Sequence, residues 1–174
     1  MTVESGTRRN GVDLEAVGGL VRAVTDDATS AQTTWAAHVT WKDAFASEAR
    51  VRTFAPTASD EPPAMGGGDT AANPVEQLLS ALGNCLAVGY AANASVAGIT
   101  IDALTIDVRG DIDLRVFLGV AEGHAGFDSI TADVTLLSEA PREAVEALHA
   151  KVLSSSPVGH TLGSAVPVDV RLAS

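Results

Sequence analysis

Cysteine is almost missing from this chain of 174 residues, with Cys85 the single example. One thiol excludes an intramolecular disulfide and any zinc site of the CxxC type, and it leads us to expect a reducing compartment. Positive charge is scarce as well. Eleven Lys and Arg stand against twenty-two Asp and Glu, for a formal net charge of −11. Nucleic acid and anionic membranes are therefore not expected partners, because each needs a basic face to displace counterions. Only Lys42 and Lys151 are lysines; the other nine cations are arginines, the type that forks onto carboxylates. No apolar run follows the polar opening Met1–Arg9, so secretion is not expected. The most apolar stretch, 78–101, is interrupted by Ser80, Asn84, Tyr90, Asn93 and Ser95, which suits a buried helix better than a membrane span. The expected location is cytoplasmic. Internal repeats and low-complexity tracts are lacking too.

What is present is ordinary globular material. Hydrophobic residues make up 46% and charged ones 19%, enough apolar side chain for a core. A chain of this length can bury roughly 70% of its unfolded surface in one domain. The expected division is an N-terminal extension with a short helix over residues 1–33, then one domain over 34–174. Leu14, Val17, Leu20, Val21 and Val24 recur at helical spacing, although Gly18-Gly19 weakens that helix. The helix is expected to pack on the main domain. From Thr34 the period becomes two, with Trp35, Ala37, Val39 and Trp41 on one face. A turn near Asp43-Ala44 leads to a second strand over 45–54, with Glu48, Arg50 and Arg52 sharing a face.

Residues 55–73 read as a long loop rich in Pro, Gly and Asp, a length that is usually functional or disordered. A helix start follows. Asn73 can cap, Pro74 suits the first helical position, and Glu76 completes a capping box. The helix should run to about Ala97, with Gly98 as its stop. Its apolar residues are spread around most of its circumference, so a partner subunit is expected to supply part of the cover. Strands are then expected over 99–109, 112–120, 127–137 and 166–172, with Gly110-Asp111 as a turn and a helix opened by Pro141. A further short helical turn is expected after Pro157. The order β-β-loop-α-β-β-β-α-β, with hairpin-length links, means α+β with antiparallel sheets.

Cys85 is the only soft nucleophile. Among Leu and Ala in mid-helix, desolvation favours the neutral, inert thiol, so a buried structural cysteine is the plainest reading. It becomes reactive if a cation reaches it. Arg50 or Arg52 could supply that cation, and a loop carboxylate such as Glu61 could orient the guanidinium. Gly66-Gly67-Gly68 lacks the Lys-Ser/Thr of a phosphate loop. His38, His124, His149 and His160 show no metal-ligand spacing, and no elbow motif surrounds Ser156 near His160. Asp107, Asp111 and Asp113 read as a solvated acidic face. No metal or other cofactor is expected.

The stretch Asn73-Pro74-Val75-Glu76-Gln77-Leu78-Leu79 through Asn84-Cys85-Leu86 resembles the signature of the OsmC/Ohr family of osmotically inducible and organic-hydroperoxide-resistance proteins. Gly98-Ile99-Thr100-Ile101, Gly110-Asp111-Ile112-Asp113 and Ser156-Pro157-Val158 agree with it, so the resemblance extends over about 35–172. It implies an intertwined α+β homodimer with antiparallel sheets around long central helices and active sites where subunits meet. It also implies a peroxidatic cysteine at Cys85, an activating arginine at Arg50 or Arg52, and a carboxylate at Glu61. The family's resolving cysteine, in a Cys-Pro-Val motif, is replaced by Ser156, which cannot form the resolving disulfide.

Two functions follow as expectations. One is a one-cysteine, thiol-dependent peroxidase that reduces organic hydroperoxides in oxidative stress defence and draws on an external thiol reductant. The other is a non-peroxidase dimer that binds a small apolar ligand at the subunit interface, with Cys85 structural.

Overall fold

The computed structural model describes residues 8–172. The polar opening before Arg8 lies outside them. The chain divides into two compact units, one of residues 8–14 and 81–172, the other of 15–80.

The first unit is organised by apolar periodicity. Strand β1 (Arg8–Arg9) and strand β2 (Val12–Asp13) form a small hairpin ahead of the expected short helix. Its turn is Asn10-Gly11, both at positive φ (47° and 78°), the conformation that tight two-residue hairpins demand. Asn10 then fastens the hairpin to the end of the long helix α2 (Pro74–Ala97). Its amide donates to Ser95 Oγ and to the Ile99 carbonyl, and its Oδ1 accepts from Ile101 N–H at 3.0 Å.

Strand β6 (Ala103–Ile112) and strand β7 (Phe127–Leu137) pair antiparallel along their whole length, Ala103 opposite Leu137 and Ile112 opposite Phe127. Leu104, Ile106 and Val108 alternate with exposed residues, so one sheet face is apolar. That face meets Leu82, Leu86, Tyr90 and Ala94, which lie four residues apart on one stripe of α2. Leu148 and Val152 of helix α4 (Arg142–Leu153), with Ile99, complete the core. Tyr90 is almost wholly buried, and its hydroxyl meets Nδ1 of the exposed His149. Burial pushes the Tyr90 phenol above its ordinary 10.0.

Three expectations in this unit need correction. Gly110-Asp111 is not a turn; β6 runs through it because its backbone stays paired with Ile130 and Ser129. Residues 112–120 are not a strand. The Asp113 carboxylate caps the Arg115 N–H and starts a single helical turn, α3 (Leu114–Phe117). Finally, Val166 to Leu172 alternates as a strand should, but no strand forms there among the described residues. Helix α5 (Pro157–Leu162) is the short helical turn expected after Pro157.

The second unit is held differently. Helix α1 (Leu14–Asp26) starts two residues later than the expected Val12 and buries none of its side chains. Strand β3 (His38–Asp43) pairs with strand β4 (Ala46–Arg50), which pairs with strand β5 (Thr57–Ser59), a strand inside the segment expected to be all loop. The second strand therefore ends at Arg50, short of Phe54. Arg52 sits beyond it at φ 49°, a turn conformation, and does not share a strand face with Arg50. The buried residues here are polar, Ser59 and Asp60, while Trp35, Val39, Trp41 and Phe54 are exposed. Among the described residues no helix is long and apolar enough to cross a membrane.

Candidate functional site

The capping box that starts α2 forms in full. The Glu76 N–H donates to Asn73 Oδ1 at 2.9 Å, and the Asn73 N–H donates to Glu76 Oε2 at 2.8 Å. At the other end Gly98 takes φ 80° and ends the helix. Local chemistry thus fixes both ends of α2, and with them the face on which Cys85 stands.

Cys85 is half-buried. It shares one helix face with Val88, Gly89 and Ala92, at spacings of three, four and seven residues. These residues, with Ser156 and Pro157, border a cleft of about 420 Å³. The cleft mouth is mostly apolar, with Asn84 and Asn93 as its amide groups; the Asn93 amide donates to the Gly89 carbonyl. The sulfur has one polar neighbour of note. Cys85 Sγ and Ser156 Oγ lie 3.3 Å apart, although 71 residues separate them in sequence.

Ser156 reaches that position as the N-cap of α5. Its Oγ accepts from the Gly159 N–H at 3.1 Å, and Pro157 fills the first helical position. Val158 and Leu162 of the same short helix pack on the core. The serine itself is only 5% exposed.

The remaining site candidates belong to the second unit. Arg50 donates through one guanidinium nitrogen to Glu48, which also pairs with Lys42 at 3.2 Å. Those cations, the Lys42 hydrogen bond first, hold the Glu48 carboxyl below its ordinary range. Arg52 lies over the Phe54 ring, 4.6 Å from its centre, a cation–π contact. Glu61 Oε2 accepts from the Asn73 side-chain amide at 3.2 Å, so the residue that caps α2 also restrains the Glu61 carboxylate.

The neighbouring Asp60 was missed by sequence reasoning. Its Oδ1 accepts from Glu61 N–H, and its Oδ2 from Gly68 N–H, Thr70 N–H and the Thr70 hydroxyl. The Thr70 hydroxyl chiefly, then these amides, hold the Asp60 carboxyl below its ordinary 3.8. The signal in the sequence is slight: a Gly-Gly-Gly-Asp-Thr run at 66–70, six residues beyond Asp60, whose Gly68 and Thr70 amides turn back to the carboxylate. Among the described residues, no three His, Cys, Asp or Glu side chains gather closely enough to hold a metal ion.

The architecture recurs in solved structures. An OsmC-like protein from Mycoplasma pneumoniae superposes with a TM-score of 0.65 at 18% identity, over 76% of this chain and 89% of that one. An organic hydroperoxide resistance protein OsmC from Legionella pneumophila gives 0.58 at 14% identity, over 75% and 91%. An organic hydroperoxide resistance protein from Elizabethkingia anophelis gives 0.55 at 15%, over 74% and 89%. No curated protein matches the chain in sequence. These likenesses define the class as a mixed α+β fold with antiparallel sheets, of the OsmC-like type. A family model described as OsmC-like protein matches residues 66–171, which include Cys85 and Ser156. The chain belongs to the OsmC-like protein family.

Proposed function

We propose that this protein is a one-cysteine, thiol-dependent peroxidase acting on organic hydroperoxides. The observation that carries the reading is Cys85, half-buried at an apolar-walled cleft with Ser156 against its sulfur. Membership of the family, and the names of two of its structural neighbours, support a redox role in stress. In the chemistry we assign, the Cys85 thiolate attacks the distal peroxide oxygen. A sulfur–oxygen bond forms, the O–O bond breaks, and the alkoxide leaves to take a proton as alcohol. The sulfenic acid then condenses with one external thiol, releasing water. A second external thiol displaces the resulting disulfide and returns the Cys85 thiol. The apolar walls favour alkyl over inorganic peroxide.

The rest of the proposal rests on the family resemblance. Arg50 or Arg52 is assigned to steady the thiolate and the leaving charge, and Glu61 to orient that guanidinium. We assign a homodimer, since α2 leaves Val88 and Val96 69% and 67% exposed on faces that its own chain does not cover. We likewise retain residues 1–33 as an extension to a domain of 34–174, and a cytoplasmic location.

Mixing the protein with an alkyl hydroperoxide and dithiothreitol tests the activity. Consumption should depend on Cys85 and vanish in Cys85→Ser; equal consumption by both proteins ends the idea. Ser156→Cys tests the resolving position. The Oγ-to-Sγ separation of 3.3 Å suits conversion to a disulfide, which needs close, facing side chains. One equivalent of hydroperoxide should then remove both thiols, whereas the unsubstituted protein should gain one oxygen. A second reading, a dimer that binds an apolar ligand without turnover, draws on the same cleft and the absence of a resolving thiol. Saturable binding of an apolar fluorophore by a protein that consumes no hydroperoxide would favour it.

A further inference from the structure

By the family resemblance Ser156 stands at the resolving position, and its geometry gives it a part of its own. A hydroxyl has one proton and two lone pairs. One lone pair of Ser156 Oγ accepts from the Gly159 N–H at 3.1 Å, which fixes the oxygen at the start of α5. The Cys85 sulfur lies 3.3 Å away on another side of that oxygen. The serine is 5% exposed, so water does not readily compete for its proton. While Cys85 is a thiol, either group can donate. Once sulfur loses its proton, only Ser156 has one to give, and the thiolate has become the stronger acceptor.

We propose that Ser156 is a catalytic residue of this chain, a hydrogen-bond donor to the ionised sulfur of Cys85. The proposal rests on the reading of Cys85 as the reacting thiol, but not on any particular peroxide. On the family resemblance, the resolving position thus carries a hydroxyl that faces the sulfur of Cys85. The N-cap bond is what makes the donor permanent. With Oγ held by the Gly159 amide, the hydroxyl hydrogen can swing but the oxygen cannot leave.

Alkylation of Cys85 by iodoacetamide, followed across pH, tests this without hydroperoxide. A donor that stabilises the thiolate makes it more abundant at low pH and intrinsically less nucleophilic, with a Brønsted slope of about 0.4–0.5. Loss of the donor should therefore make the two profiles cross. Ser156→Ala should react about threefold slower at the acid end of the profile and about threefold faster at the alkaline end. Ser156→Thr keeps both hydroxyl and cap and should follow the unsubstituted protein. Ser154→Ala, a neighbouring serine whose hydroxyl bonds the Lys151 carbonyl, should leave the profile unchanged. Should Ser156→Ala fail to fold, Ser156→Asp retains a capping oxygen, has no proton once ionised, and should show a larger loss at the acid end.

Profiles that superimpose, or that differ by one constant factor at every pH, overturn the proposal. So does a Ser156→Thr profile that tracks Ser156→Ala, because cap or packing would then be the cause. A protein that shows the crossing but consumes no hydroperoxide would overturn the peroxidase reading alone.

Discussion

The two units of this chain solve the same problem with opposite materials. In the unit of residues 8–14 and 81–172, α2, β6, β7 and α4 converge on a main cluster that is apolar apart from the Tyr90 hydroxyl, with the hydrogen-bonded Ser95 and Ser156 buried outside that cluster. In the unit of residues 15–80 the buried groups are Ser59 and Asp60, and the large apolar side chains face outward. The first is held by removal of apolar surface from water, which is strong and non-directional. The second is held by aimed hydrogen bonds, each of modest net worth and each dependent on geometry. A difference of this kind predicts different responses to mutation, acid and partner.

The largest effect should come from Leu86→Ala, which opens a cavity in the apolar cluster and should cost about 2–5 kcal/mol in urea unfolding. Val39→Ala makes the sharper comparison. Val39 is 62% exposed, so in the chain alone its truncation should stay within about 0.5 kcal/mol. A loss near that of Leu86→Ala, varying with protein concentration, would mean that a second chain covers this face and would dissolve the contrast.

Acid should divide the units next. The folded Asp60 carboxyl lies below its ordinary 3.8, so its contribution is fully present above that value and is lost as pH falls through the lower folded value. The Gly68 and Thr70 amide resonances should move together below about pH 4 while those of Leu86 and Val152 stay in place. Gly67→Ala should produce the same local change at neutral pH, because a Cβ there would fall on the Glu61 carbonyl. If either treatment shifts the apolar cluster equally, the two units do not respond separately.

Smallest of all should be Tyr90→Phe. It removes the one hydroxyl buried in the cluster, together with its bond to the exposed His149, and should cost about 1 kcal/mol with no change in Asp60 behaviour.

The same contrast explains what could be read in advance. Helix α2 was legible to both ends because Asn73, Pro74, Glu76 and Gly98 are local signals, and β7 because Ile130, Ala132, Val134 and Leu136 recur at every second residue. The cysteine needed no structure to be found. Its contact with Ser156 was legible only through family resemblance, since nothing local links residues 71 apart. Strand β5 was hidden because Thr57–Ser59 carries no apolar alternation; its pairing with β4 is anchored beside Asp60, a tertiary cause. At 166–172 the period of two was real but incomplete as evidence. Alternation gives a segment two faces, and a strand also requires a neighbour for its backbone. At Gly110 the reason is different: a glycine is a turn signal on its own, but here the long ladder with β7 continues through it.

One consequence of the outward-facing residues is optical. Both tryptophans of the chain, Trp35 and Trp41, lie in the 15–80 unit and are 79% and 68% exposed, while the only tyrosine, Tyr90, is sealed in the apolar cluster. Indole emission shifts toward the red in water and back toward the blue when covered. Tryptophan fluorescence of this protein is thus a reporter on the 15–80 unit, and the other unit has to be followed by a different probe. A melting curve recorded by emission alone would describe only the unit that carries no cysteine.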